Sequence, residues 1–384
     1  MTTTVGQGTA ANDLRVGIVG GGFMARVHTA AARSAGASVV ALASSELTRA
    51  QRTARELGIP TAYDTAQAML ESGAVDVVHV CTPNHTHTEY ASLVLAAGRH
   101  VVCEKPLATT VTDADTLATQ ASDAGLVATV PFVYRFHPMV RHARQMVRSG
   151  QLGIVHTLSG SYLQDWLLQA DDDNWRVDPA LGGRSRAFAD IGSHLTDLIE
   201  FISGDRIATI TARTRTILGH RGGRAVATED LAAVIFETER GVLGSLTVSQ
   251  VAPGRKNRLY VEISGTSESI AFDQEQPESL WVGDRSGSRR VVRDPGTLAA
   301  DAARLSHVPA GHPQGYQDAF NAFAADTYAA IRGDVREGLP TFVDGARAVR
   351  LTDAVMRSAE TASTVGVEPA TTVRARGSGE PVAV

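Results

Sequence analysis

Four short stretches of this sequence carry side chains able to hold phosphate or move protons. Gly20-Gly21-Gly22-Phe23-Met24-Ala25 stands after an apolar run and opens a helical pattern. Glycines there allow a tight turn and close approach of backbone to a pyrophosphate, which the free N–H groups of a helix start then hold. Gly20, Gly22, Phe23 and Met24 are therefore expected to border a dinucleotide. The strand-helix text that follows argues against a plain glycine-rich turn. Thr82-Pro83-Asn84-His85-Thr86-His87 comes after a later apolar run. Ligands of such folds lie beyond the carboxyl ends of strands, so Thr82, Pro83, Asn84 and His87 are expected to face the same molecule. The two histidines invite a metal, but no acidic or cysteine partner has ligand spacing, and no metal is expected.

The other two stretches bear on proton transfer. Glu104-Lys105-Pro106 ends a further apolar run, and proline keeps the residue before it extended. Only two of the 36 basic residues, Lys105 and Lys256, are lysine. In so arginine-biased a chain, a lysine at a strand end points to a need for a compact, titratable ammonium. There it can hydrogen-bond a substrate oxygen and stabilise alkoxide character. Asp190-Ile191-Gly192-Ser193-His194 opens a helical stretch, where a spacing of four puts Asp190 and His194 on one face. Histidine accepts protons near neutrality, and a carboxylate beside it orients the ring and steadies its cation. Taken alone, the pattern suits a helix cap with a packed histidine equally well.

Cofactor type is read at the end of the second strand. An NAD site usually has Asp or Glu there for the ribose 2′-OH. Here Ala43-Ser44-Ser45 leaves room for a 2′-phosphate, and Arg49 on the next turn has the charge to pair with it. NADP(H) is favoured, with NAD(H) the alternative.

Short apolar runs at 14–19, 39–43, 62–63, 75–81, 100–103 and 127–133 alternate with helical patterns at 24–35, 47–57, 66–71 and 89–97. Apolar runs without alternation, joined by helices, predict a buried parallel sheet, so residues 14–136 read as a doubly wound dinucleotide-binding domain. Beyond a helix at 138–149 the pattern changes. Strand-like stretches at 154–162, 207–217, 231–237, 244–251 and 259–263 follow with few helices between, which predicts an open, mainly antiparallel sheet. A loop at 163–183 and helical stretches at 193–202, 314–332 and 344–362 complete a second α+β domain over 137–366. Residues 1–13 and 370–384 read as flexible tails. The fold class expected is thus α/β: a Rossmann domain followed by an α+β domain.

A net charge of −5 gives no reason to expect nucleic acid or a membrane surface as partner. No apolar run approaches the ~20 residues of a membrane span. The start lacks the pattern of a signal peptide, and Cys81 and Cys103 lie in apolar runs. A cytoplasmic setting is expected.

Taken in order, Gly20-x-Gly22-x-x-Ala25, Thr82-Pro83-Asn84-His85, Glu104-Lys105-Pro106 and Asp190-Ile191-Gly192-Ser193-His194 resemble the Gfo/Idh/MocA oxidoreductase family over residues 14–366. The resemblance implies that Lys105, Asp190 and His194 correspond to the family's catalytic lysine, aspartate and histidine. It further implies that Trp175 and Arg176 approach the nicotinamide end of the cofactor, and that Tyr134, Arg135, His312 and Tyr316 line the substrate site; Glu104, next to Lys105, is a further candidate to border the cofactor. Trp166 and Asp165 are candidates to meet sugar hydroxyls; the acidic run 171–173 reads better as a solvated loop. A homo-oligomer, dimer or tetramer, formed through the C-terminal sheet is implied as well. The implied reaction is hydride transfer between a secondary hydroxyl of a sugar, sugar derivative or cyclitol and the nicotinamide. His194 would take the hydroxyl proton, Asp190 would orient its ring, and Lys105 would polarise the oxygen. Two alternatives stand beside it: a redox-neutral, glycosidase-like enzyme that would use the same lysine and histidine through a transient keto-sugar, and a non-catalytic dinucleotide sensor or scaffold in which Lys105 is dispensable.

Overall fold

The computed structural model describes residues 13–369, so the expected tails, Asp13 apart, lie outside it. The first half alternates β1 (Arg15–Val19), α1 (Phe23–Ser34), β2 (Ser38–Ala43), α2 (Leu47–Leu57), β3 (Thr61–Tyr63), α3 (Ala66–Glu71), β4 (Val77–Val80), α4 (His87–Ala96), β5 (His100–Cys103), α5 (Val111–Ala124) and β6 (Ala128–Thr129). All six strands are parallel, in the order β3-β2-β1-β4-β5-β6. The order reverses between β1 and β4, so a crevice opens past their carboxyl ends, where the glycine turn and Thr82-Pro83-Asn84 lie. The run expected as a strand over 127–133 pairs only at Ala128–Thr129. Pro131 has no N–H to continue the ladder, and Val130 donates instead to Pro340 O. The chain then enters a short 3₁₀ turn, Val133–Phe136.

After α6 (Pro138–Arg148) come β7 (Val155–Leu163), α7 (Pro179–Gly182), α8 (Ser193–Ser203), β8 (Ile207–Arg215), a small ribbon of β9 (His220–Arg221) and β10 (Arg224–Ala225), β11 (Leu231–Thr238), β12 (Leu243–Ser249), β13 (Arg258–Gly265), β14 (Ser269–Asp273), β15 (Ser279–Asp284) and β16 (Gly287–Val292). With β17 (Val365–Gly366) they form a nine-stranded sheet, β16-β15-β14-β13-β7-β12-β11-β8-β17, antiparallel except for β7 beside β12. Its strands alternate. On β11, Ala232, Val234 and Phe236 are buried while Ala233, Ile235 and Glu237 are exposed. The buried face packs on α6 and α8 through Met139, Leu195, Leu198 and Ile199.

The last helices, after the short α9 (Ala300–Ala303), are α10 (Tyr316–Ile331) and α11 (Phe342–Thr361). Both reach back to the first sheet. Phe320, Phe323 and Tyr328 of α10 join Val16, Ile18 and Val27 in one core, and α10 lies along α1. On the other face Phe342, Ala346 and Val349 of α11 join Val78, Val80 and Leu117. Apolar burial of this kind contributes roughly 1.5–3 kcal/mol per large side chain. It fixes the N-terminal end of α10, with Tyr316, beside the crevice.

Candidate active site

The glycine turn is built to receive a phosphate. Gly20 has φ +112°, and a Cβ there would stand 2.6 Å from the Cys81 carbonyl oxygen, so only glycine fits between β1 and β4. A Cβ on Gly22, the residue just before α1, would meet nothing within 4 Å. That first turn has no side-chain cap, which leaves its N–H groups for a ligand. Phe23 is exposed and Met24 half-buried at its edge. Among the described residues the Arg49 guanidinium has no ion pair, and its Nε would lie 3.6 Å from a Cβ built on Gly21. Ser44 is buried at the end of β2 and Ser45 exposed. These residues fit a dinucleotide.

At the end of β5 the Lys105 ammonium donates to Asp190 Oδ1 at 2.7 Å and to the Asp190 carbonyl at 2.9 Å. Gln250, just past β12, donates to Asp190 Oδ2 at 2.8 Å, and Arg176 Nε lies 3.4 Å from Oδ1. Burial alone would raise the Asp190 carboxyl, yet Lys105 and Arg176 hold it well below the usual range, so it is ionised. Arg176 also lies over the Trp175 ring, 4.4 Å from its centroid.

Asp190 does not orient His194, contrary to expectation. Residues Phe188–Gly192 form a π turn ahead of α8, and the Asp190 carboxylate is turned to Lys105 and Gln250 instead of to the His194 ring. His194 Nδ1 is buried without a hydrogen-bond partner. His194 is held by packing instead, with ring centroids 5.1 Å from Tyr134 and 5.7 Å from Phe132. Burial, then the neighbouring Lys105 charge, push its pKa down to about 3. The imidazole is therefore neutral near pH 7.

Beside His194 runs a polar cluster that sequence reasoning largely missed. Tyr134 and Tyr162 hydroxyls meet at 2.5 Å; Asn257 accepts from Tyr162 at 2.8 Å and donates to Tyr134 at 3.1 Å. Gln164 joins it through Asn257 at 2.7 Å and accepts from Trp166 Nε1 at 2.8 Å. Tyr316 stands close by: burial, then the charges of Glu104 and Asp190, push its phenol up. Tyr162, Gln164, Asn257 and Gln250 belong to no motif. Their one signal is position, at or just past the ends of strands β7 and β12 or before β13.

Several expected residues lie elsewhere. Arg135 turns away from the crevice to pair with Asp197 and Asp344, over the Phe201 ring, where it lines a separate cavity of about 280 Å³. A buried guanidinium needs those carboxylates. His87 is buried as well, its ring nitrogens 2.7 Å from Pro106 O and 2.9 Å from Thr82 O, so it ties two loops together and does not face a ligand. Glu104 points inward to His28. Asn84 donates to Gly182 O at 2.9 Å, joining the Thr82-Pro83 loop to the residues before the π turn. His312 is exposed, its backbone carbonyl held by Arg293. Asp165 is occupied by Lys256 at 2.7 Å, and Asp173 by Arg224 at 2.6 Å.

A Rossmann sheet with a lysine at the end of β5, facing an aspartate and a histidine from an open-sheet domain, defines a class of nicotinamide-linked oxidoreductases. The chain matches the model of the oxidoreductase family with an NAD-binding Rossmann fold over residues 14–132, and that of the Gfo/Idh/MocA C-terminal domain over residues 140–271. It is 30% identical to a levoglucosan dehydrogenase of Pseudarthrobacter phenanthrenivorans over 92% of this chain and 98% of that protein. A solved levoglucosan dehydrogenase, in complex with NADH and levoglucosan, superposes with a TM-score of 0.88 at 28% identity, covering 93% of this chain and all of that one. A D-xylose 1-dehydrogenase (NADP⁺) of Haloferax volcanii is 34% identical over 46% of this chain and 53% of that protein. The chain belongs to the Gfo/Idh/MocA oxidoreductase family.

Proposed function

We propose that this chain catalyses reversible oxidation of a secondary hydroxyl on a sugar, sugar derivative or cyclitol. A nicotinamide dinucleotide bound at the glycine turn supplies the hydride acceptor. Lys105 donates a hydrogen bond to the reacting oxygen and stabilises its negative charge, while Asp190, itself held by Gln250, keeps the ammonium in place. His194, neutral and walled by Phe132 and Tyr134, accepts the hydroxyl proton; in reduction it returns one. Tyr134, Tyr162, Gln164, Asn257 and Trp166 offer hydroxyl, amide and indole groups suited to a polyol. The observation that carries this reading is Lys105, fixed on Asp190 and next to a neutral His194 at the strand ends beyond the glycine turn.

NADP(H) is the proposed cofactor. Its support is the missing acid at Ser44 and, beside the turn, Arg49, which has no ion pair among the described residues. The relatives named above include one solved with NADH and one whose name carries NADP⁺. The same reading includes dinucleotide binding by residues 14–136, substrate binding by 137–366, a dimer or tetramer joined through the second sheet, and a cytoplasmic setting. Among the described residues no helix is long and apolar enough to cross a membrane.

The test follows NADPH and NADH absorbance against a panel of sugars and cyclitols, levoglucosan among them. Lys105→Ala and His194→Ala are each expected to lower kcat by about 10²–10⁴-fold. Full turnover by both variants on a good substrate would refute the mechanism. Arg49→Ala should raise KM for NADPH while sparing NADH, and a clear preference of the parent for NAD would sink the cofactor assignment. Release of an aglycone without net change in absorbance would favour the redox-neutral alternative.

A further inference from the structure

Behind the catalytic lysine runs a chain of buried polar groups that the proposed mechanism does not use. Tyr328 OH lies 2.9 Å from His79 Nε2, His79 Nδ1 lies 2.9 Å from His28 Nδ1, and His28 Nε2 lies 3.0 Å from Glu104 Oε1. Glu104 Oε2 in turn accepts from the backbone N–H of Lys105 at 3.1 Å. Tyr328, His79 and His28 are each no more than 1% exposed, and Glu104 is 6%. Burying so many polar groups is costly unless every one is paired. Here they are, in a fixed order. With both rings neutral, Tyr328 O–H donates to His79 Nε2, His79 Nδ1–H to His28 Nδ1, and His28 Nε2–H to ionised Glu104, and no donor in the chain is left over. Burial alone would push the Glu104 carboxyl up, but its hydrogen bond from His28 keeps it below the usual range. Burial, with His28 adding to it, pushes His79 far down.

His28, His79 and Tyr328 belong to α1, β4 and α10, and Glu104 directly follows β5. Each of these four elements presents a part of the candidate site at the end facing the crevice. The glycine turn precedes α1, Thr82-Pro83-Asn84 follows β4, Lys105 follows β5, and Tyr316 begins α10. A random buried network has no reason to join these four.

We propose that Tyr328, His79 and His28 are positioning residues that act through Glu104, locking the strand end that carries Lys105 to the helix that receives the cofactor. The proposal assumes the oxidoreductase function above. It makes the ammonium's placement depend on hydrogen bonds some distance from any reacting atom, while the phosphate cradle itself is left alone.

His28→Leu and His28→Gln separate this from a role in packing. The glutamine amide reproduces the pattern of one donor towards Glu104 and one acceptor towards His79; leucine supplies neither. Active sites are counted by titration with the preferred nicotinamide nucleotide, and kcat is expressed per titrated site. His28→Leu is expected to lower kcat by about tenfold or more, with nucleotide Kd changed less than about threefold, and His28→Gln to recover most of the loss. Tyr328→Phe, which removes one hydroxyl and keeps the ring, should lower kcat about two- to fivefold. It serves as the probe if the leucine variant does not fold. Unchanged kcat per site in His28→Leu or Tyr328→Phe would overturn the proposal, as would a glutamine variant no better than leucine. Lys105→Ala is run in parallel. If it keeps full turnover the proposed function fails, whereas its loss together with an unaffected His28→Leu rejects only the positioning role.

Discussion

Lys105 and Lys256 show how far residue type alone informs. Both are lysines in an arginine-rich chain. Lys256 is an exposed partner of Asp165, whereas Lys105 is mostly buried on Asp190. Rarity did not distinguish them; the place after β5 did. Gln250 belonged to no motif and had only its place past β12 as a signal, because its hydrogen bond to Asp190 joins positions 60 residues apart. Gln250→Leu should leave one Asp190 oxygen without its donor and loosen the ammonium. A kcat loss of about tenfold with little change in nucleotide affinity is expected, since only transition-state placement is affected. A KM effect alone would contradict this. Buried histidines also set the response to acid. Burial lowers His137 to about 4 and His194 to about 3, so both are neutral in the folded protein, whereas in the unfolded chain they titrate near their ordinary value. The unfolded state therefore binds more protons below that value. Stability is full above a pH of about 6.5 and falls as pH drops towards 3–4, by at most ~1.4 kcal/mol per pH unit for each group. Urea midpoints at pH 7, 5.5 and 4.5 should fall in that order, and His137→Phe should make the decline shallower. An equal slope in parent and variant would show that His137 takes no part.

At the scale of elements, most of the first sheet is legible in the sequence because buried parallel strands are short apolar runs and each helix ends on a glycine or a turn. Legibility fails where local pattern and tertiary contact disagree. The run at 127–133 is apolar enough for a strand, but Pro131 and the pairing of Val130 with Pro340 end it early. Asp190 and His194 have helical spacing, but the carboxylate is held by Lys105 and Gln250, long-range partners that no period in the sequence announces. The strands β14 to β16 were not anticipated either, being only five or six residues long with turns close on either side. The glycine turn is the opposite case, since its conformation is required by its surroundings. Gly20→Ala would force a Cβ against the Cys81 carbonyl at 2.6 Å and a side chain into positive φ. A loss of about 1–3 kcal/mol in stability is expected, together with weaker dinucleotide binding. Gly22→Ala has open space around its Cβ and should fold normally while losing nucleotide affinity, because the methyl group would crowd the turn proposed to receive the phosphate. Thermal midpoints and nucleotide titrations on the two variants distinguish a residue needed by the fold from one needed by the ligand. Similar stability losses in both would remove that distinction.

The whole molecule leaves one large surface unaccounted for. Among the described residues the nine-stranded sheet packs helices on one face only. From the opposite face project Ile235 and Leu243, 58% and 59% exposed, with Trp281 at 43%. Ile235 pairs with Ser245 and Leu243 with Glu237, so the two apolar side chains are near neighbours across β11 and β12. Isolated exposed apolar residues are ordinary, but several on one flat sheet face are characteristic of an association surface. A second copy of the same face is the simplest partner, since a twofold axis makes one patch complementary to itself. The parent chain is therefore expected to be a dimer or tetramer by light scattering after size exclusion. Ile235→Arg and Leu243→Arg place a charge where a partner's sheet would exclude water, and should shift the chain towards monomer at micromolar concentration. Because both side chains are exposed in the single chain, the variants should retain its circular dichroism and nucleotide binding. That separates dissociation from unfolding. A parent that is monomeric at every concentration would refute association through this face, and a variant that unfolds would show that the face belongs to the core of the single chain.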